Sequence, residues 1–192
     1  MTTAARETPR SGGLDVGRWG LLTLIATEGA LFAYLLASYF YVGVLHGTWP
    51  TTGAPALTIA APNTIILLAS SGTVWWAERG GRAGNGRRLR LGLGLTLLLG
   101  GAFLALQGVE YAHARVTPRT DVYGSLFFAI TGMHGAHVVV GLLILLHTAA
   151  RAFAGHFRGG RQVAVRNAAL YWHFVDAVWI LVFTSLYIGP RL

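Results

Sequence analysis

The stretch Val122–Ala150, VYGSLFFAITGMHGAHVVVGLLILLHTAA, runs for 29 residues without an Asp, Glu, Lys or Arg. A helix needs about 20 apolar residues to cross the hydrocarbon core of a bilayer. This segment is long enough with residues to spare, and that decides the solvent in which the chain folds. The same reading extends outward. After Glu28 the next charged residue is Glu78. Charged residues make up 11% of the chain and hydrophobic ones 54%, whereas a soluble domain carries about 25% charged residues. The fold class that follows is all-α, an integral membrane bundle.

Five apolar segments are expected to become transmembrane helices, at about 18–44, 57–77, 90–112, 122–150 and 168–189. They form one transmembrane domain over 18–192, preceded by a polar cytoplasmic tail, 1–17. The turn-rich stretch HGTWPTTGAP (His46–Pro55) separates the first two, because Gly and Pro interrupt helices. The second loop is Gly- and Arg-rich, ERGGRAGNGRRLR (Glu78–Arg90). A cleavable signal peptide is not expected, since the first apolar run is longer than a signal core. Gly-rich runs such as LGLGLTLLLGGAFLAL (Leu91–Leu106) let helices approach closely in lipid. Tyr39, Tyr41 and Trp49 at one end, and Trp75 and Trp76 at the other, read as interfacial anchors.

All 15 basic residues are Arg and the formal net charge is +8. In a soluble chain that balance would suggest nucleic acid; here the arginines lie between apolar segments, and no nucleic-acid partner is expected. With the N-terminus inside, the tail, second loop and fourth loop put twelve arginines inside, against three outside. The excess of basic residues in cytoplasmic loops therefore predicts N-in, C-out. There is no Cys, which removes disulfides, thiolate metal sites and cysteine catalysis.

The polar residues within the apolar segments are the functional candidates. Glu28 lies about ten residues into the first, where a charge costs about 2.5–3.5 kcal/mol. It is expected to be a buried carboxyl, protonated or paired, that either handles protons or senses lipid, or fixes packing through a hydrogen bond to a neighbouring helix. Glu110, in QGVEY (Gln107–Tyr111), lies near the outer interface within reach of water. His134 and His137 in TGMHGAH are three apart and share a helix face, as do His173 and Asp176 in YWHFVD. Such residues can ligate a metal or haem, or they can bond to neighbouring helices. A His–carboxylate pair can also steer a metal-bound imidazole. No hydrolase, nucleotide-binding or metalloprotease motif is present, so no catalytic residue is assigned.

Taken together, several stretches resemble subunit III of the haem–copper respiratory oxidases, in a short five-helix form. They are TEGALF (Thr27–Phe32), Trp49–Pro50, NTIILLASS (Asn63–Ser71), LQGVEY (Leu106–Tyr111), YGSLFFAITGMHGAHVVVG (Tyr123–Gly141) and YWHFVDAVW (Tyr171–Trp179). They follow the family's order from Trp19 onward. The resemblance implies an accessory subunit of a proton-pumping terminal oxidase, itself non-catalytic, that stabilises the catalytic subunit and supports proton uptake. It implies no haem, copper or other metal in this chain, those cofactors residing in subunits I and II, with a small subunit IV as a further partner. The histidines then become packing and hydrogen-bonding residues of an intramembrane network with Glu110 and Asp176. Glu28 matches a buried acid that reacts with carbodiimides. Arg151 matches a position where relatives contact phospholipid headgroups.

Longer members have seven helices, and this chain begins at the third. The lipid-filled cleft made by the first two is expected to be absent or completed by another chain. The resemblance leaves open a cytochrome c oxidase, a quinol oxidase or the related accessory protein of nitric oxide reductase. A stand-alone membrane haem protein is the reading outside the family. The expected location is a bacterial plasma membrane.

Overall fold

The computed structural model describes residues 16–46, 49–51, 55–114, 116–157 and 162–191. Five helices carry the chain: α1 (Val16–His46), α2 (Leu57–Arg82), α3 (Gly86–His113), α4 (Val122–Phe153) and α5 (Val163–Phe183). All five are long and apolar enough to cross a membrane, and the described residues contain no strand. The last helix continues through a π-helical turn (Thr184–Ile188) into a short 3₁₀ turn (Gly189–Arg191). The polar tail expected at 1–17 falls almost wholly outside the described residues, as do Gly53 and the arginines at 6, 10, 115, 158 and 161.

Local signals explain the helix boundaries. Asn85 accepts a hydrogen bond from the Arg88 amide at 3.0 Å and starts α3, and Asp121 does the same for α4 through the Gly124 amide at 2.7 Å. Both are side-chain caps that satisfy amides left free in the first turn. Between α2 and α3 the chain reverses at Gly84, whose φ of 70° is open to glycine without steric cost. α5 starts at Val163, five residues before the expected 168. Polar residues such as Arg166 and Asn167 extend a helix beyond the lipid, where an apolarity criterion no longer sees it.

α5 is the centre of the bundle, packed on α1, α2 and α4. Its Trp172 and Trp179 are fully buried. Trp172 fits only because two helices present glycine to it. A Cβ at Gly100 would lie 2.7 Å from its ring, and one at Gly141 2.9 Å from it. Their indole N–H groups donate to Ser70 Oγ at 2.9 Å and to Thr64 Oγ1 at 3.0 Å, so the apolar core holds both heads without leaving a donor unpaired. α1 is peripheral; only its Phe32 and Tyr39 are buried.

One anchor expected at the interface is inside. Tyr39 is 2% exposed, and its ring meets Trp49 at 5.4 Å and Tyr123 at 6.3 Å. The three rings close the end of the bundle beneath the first loop, which is why Tyr39 turns inward. Tyr41 and Trp75 are exposed. Trp75 carries the Arg79 guanidinium 3.8 Å over its ring.

Candidate functional site

The polar residues inside the bundle form separate groups rather than one network. In the first, Glu28 Oε2 lies 2.9 Å from His137 Nε2, joining α1 to α4. The other ring nitrogen, Nδ1, lies 2.8 Å from the Met133 carbonyl. A carbonyl oxygen only accepts, so the bonding pattern assigns the Nδ1 proton. One further proton then sits between Nε2 and Oε2. It gives either a neutral acid facing a neutral imidazole, or a carboxylate facing an imidazolium. The pair is neutral overall in both states, which makes it tolerable at membrane depth. The Glu28 side chain keeps 27% of its surface exposed and that of His137 12%, so the pair sits at the bundle's edge. The Phe32 ring meets His137 edge-on at 5.0 Å.

In the second group, α2 contributes a residue that the spacing arguments did not single out. Ser71 Oγ lies 2.9 Å from His173 Nδ1 and donates its proton to Asp176 Oδ2. His173 and Asp176 share a face of α5, yet they do not bond to one another; the serine hydroxyl joins them across the α2–α5 interface. Asp176 is 3% exposed, and its Oδ1 is enclosed without a partner among the described residues. Ser71 was visible only as one of two serines in an apolar span, and side-chain hydroxyls in such spans usually bond back to their own helix.

His134 differs from the expectation for a hydrogen-bonding histidine. It is fully buried, and neither ring nitrogen has a hydrogen-bond partner among the described residues. Trp179 lies 4.8 Å away, Phe103 5.9 Å and Phe32 6.3 Å, centroid to centroid. The ring is used as a flat aromatic surface. Glu110 turns inward as well. Its Oε1 accepts from the Tyr187 hydroxyl at 2.8 Å and its Oε2 is enclosed, so the carboxyl is directed to α5's terminal turn and not to interfacial water. Tyr187 supplies the missing explanation; nothing in the QGVEY stretch indicates it. Among the described residues, no three His, Asp or Glu gather in a way that could hold a metal ion.

At the opposite end, Arg151 is exposed in the last turn of α4, with Phe157 under its guanidinium at 5.6 Å. One turn earlier, His147 lines a groove of ≈ 540 Å³ with Leu21 of α1, Leu143 of α4 and Asn167 of α5. A second recess, ≈ 930 Å³, is lined by Arg82, Arg87, Arg90 and Arg166 and, among the described residues, by no acid. At the start of α4, Asp121 accepts from Thr51 Oγ1 as well as from the Gly124 amide, and both bonds hold its carboxyl below the usual carboxylate range.

Residues 10–190 match the family model described as cytochrome c oxidase subunit III. Proteins named cytochrome c oxidase subunit 3 from Coturnix japonica, Arabidopsis thaliana and Squalus acanthias are 38%, 37% and 39% identical over 178 residues. Each alignment covers 88% of this chain and 67–68% of the relative. The match extends across the five-helix bundle and includes every polar group described above, and the chain belongs to the cytochrome c oxidase subunit III family.

Proposed function

We propose that this chain is the accessory, non-catalytic third subunit of a cytochrome c oxidase. The observation that carries the reading is the family match from residue 10 to 190, laid over a bundle in which Glu28 bonds to His137, Ser71 to Asp176 and Glu110 to Tyr187. The relatives named above belong to the cytochrome c enzyme, so the quinol oxidase and nitric oxide reductase readings are not favoured. Haem and copper reside in subunits I and II, with a small subunit IV alongside, in a bacterial plasma membrane. The N-terminus faces the cytoplasm. The subunit stabilises its catalytic neighbour and supports proton uptake, with the Glu28–His137 pair as its proton-holding group at the bundle edge.

Phospholipid is the expected ligand. The apolar groove between α1, α4 and α5 supports an acyl chain there, with Arg151, one turn beyond His147, as the residue for its phosphate.

Isolation in mild detergent through a tag on this chain tests the whole reading. The haem- and copper-bearing subunits should come with it. A haem Soret band that stays with the chain after those subunits are removed would overturn it in favour of a haem protein.

A further inference from the structure

The hydroxyl of Ser71 has a single proton and two titratable neighbours, and this limits how the group can be arranged. While Asp176 is a carboxylate, Ser71 donates to it, and Ser71 Oγ must accept from His173 Nδ1–H. The bonds run from histidine to serine to carboxylate. While Asp176 is protonated, the bonds can reverse. The acid donates to Ser71, and Ser71 donates to a bare Nδ1. Both arrangements use the same contacts, at the positions observed. The order also separates the group from a nucleophilic triad, in which histidine and not serine occupies the middle.

The two ends differ in access. His173 is half-buried, its Nε2 makes no hydrogen bond among the described residues, and it is not enclosed. Asp176 is enclosed by the bundle, and its Oδ1 has no partner. Glu78 lies seven residues beyond Ser71 on the same face of α2, ~10 Å along the axis, and is held by Arg82 at 2.5 Å.

We propose that His173, Ser71 and Asp176 form a two-state proton relay, which takes up a proton at the imidazole and passes it through the serine hydroxyl to the buried carboxyl. The proposal goes beyond the accessory role and does not rest on it. The exchange balances as follows. Neutral His173, protonated at Nδ1, gains a proton at Nε2 and becomes imidazolium. Its Nδ1 proton then moves to Ser71 Oγ as the serine's own proton moves to Asp176 Oδ2. Histidine is left neutral and protonated at Nε2, serine is regenerated, and aspartate becomes the neutral acid. The group as a whole changes from −1 to 0.

The other titratable groups on the neighbouring helices have other surroundings; His147 of α4 lines the groove with Leu21 of α1 and Asn167 of α5. Glu28 of α1 is held by His137 of α4, and His134 is enclosed by aromatic rings. Those of α3, Arg87, Arg88, Arg90, Glu110, Tyr111 and His113, lie towards its two ends.

Infrared difference spectra across a pH titration test the relay, recorded on the membrane complex that co-purifies with the full chain and carries ring-labelled histidine. A carboxylic C=O band should appear as pH falls, shift in D2O and be lost in Asp176→Asn. A histidine should change from the Nδ1–H to the Nε2–H tautomer at the same pH. Ser71→Thr and Ser71→Val then differ in the hydroxyl and hardly in shape. Thr should keep the two changes coincident and Val should separate them, with Ser71→Ala as the substitute if Val does not assemble. The proposal is overturned if Asp176→Asn removes no carboxylic band at any pH, or if the changes still coincide without the hydroxyl. A hydrogen-bonded clamp between α2 and α5 would give that second result.

Discussion

With both ring nitrogens unpartnered and three aromatic rings around it, His134 gains nothing from being polar. An enclosed polar group without a partner costs about 1–3 kcal/mol. His134→Phe should therefore assemble at least as well as the parent, whereas His134→Ala should leave a void costing on the order of 3 kcal/mol. Thermal dissociation of the complex measures both; a Phe variant that falls apart like Ala would show that the nitrogens matter. Glu28 calls for the opposite substitution logic. Glu28→Gln keeps a donor for His137 but removes the shared proton, so assembly and initial turnover should match the parent while activity decays sooner during sustained turnover. Equal lifetimes for Gln and the parent would end the case for proton chemistry at that position. The spacing of His134 and His137 made both visible as candidates, but spacing cannot tell a ring used for its nitrogens from one used for its faces. That depends on Phe32, Phe103 and Trp179, which three other helices bring from positions far apart in the chain.

At the scale of elements, α3 and α4 each give a glycine to the same indole. Gly100→Val or Gly141→Val would push a side chain into Trp172, where a Cβ alone already comes within 3 Å. Overpacking of this kind typically costs 1–3 kcal/mol. Either variant should lower the yield of assembled bundle, and Trp172→Leu should recover part of the loss; no recovery would mean that the clash lies elsewhere. The start of α4 offers a second test. The Thr51 hydroxyl and the cap bond together hold the Asp121 carboxyl below its usual range, so the stabilisation is complete above the unfolded pKa. It is lost as pH falls through the lowered folded value. Asp121→Asn should keep the cap and remove that acid sensitivity, and Asp121→Ala should cost about 1 kcal/mol, both read from acid-unfolding midpoints. The five helices were legible because apolarity over 20 residues is a coarse, cumulative signal. Their ends were less so. α5 begins earlier than expected because polar residues in a helix beyond lipid look like loop to an apolarity criterion. Ser71 escaped notice because its significance exists only across an interface.

Over the whole molecule, the arginine distribution predicts the topology, and the absence of cysteine makes that prediction directly testable. A cysteine at Ala83, on the α2–α3 turn, should resist an impermeant thiol reagent applied to intact cells, and one at Ala56 should react. The reverse pattern would invert the bundle. The architecture also has an order in time. α2 and α3 are neighbours in sequence and pack along their lengths, with Gly92 against Ala77, so that hairpin can close as soon as it leaves the ribosome. α1 is made first but rests on α4 and α5, which are made last. From His46 to Phe153 the ribosome needs ~5–20 s at ordinary elongation rates. Throughout that interval the first helix waits in the bilayer without its permanent neighbours, exposing Glu28 before His137 has been synthesised. Insertases and proteases therefore meet this chain as a lone helix beside a finished hairpin. Nascent chains stalled before residue 122 should be crosslinked through α1 to the insertion machinery, and chains stalled after residue 191 should not. Equal crosslinking at both lengths would show that α1 finds another early partner.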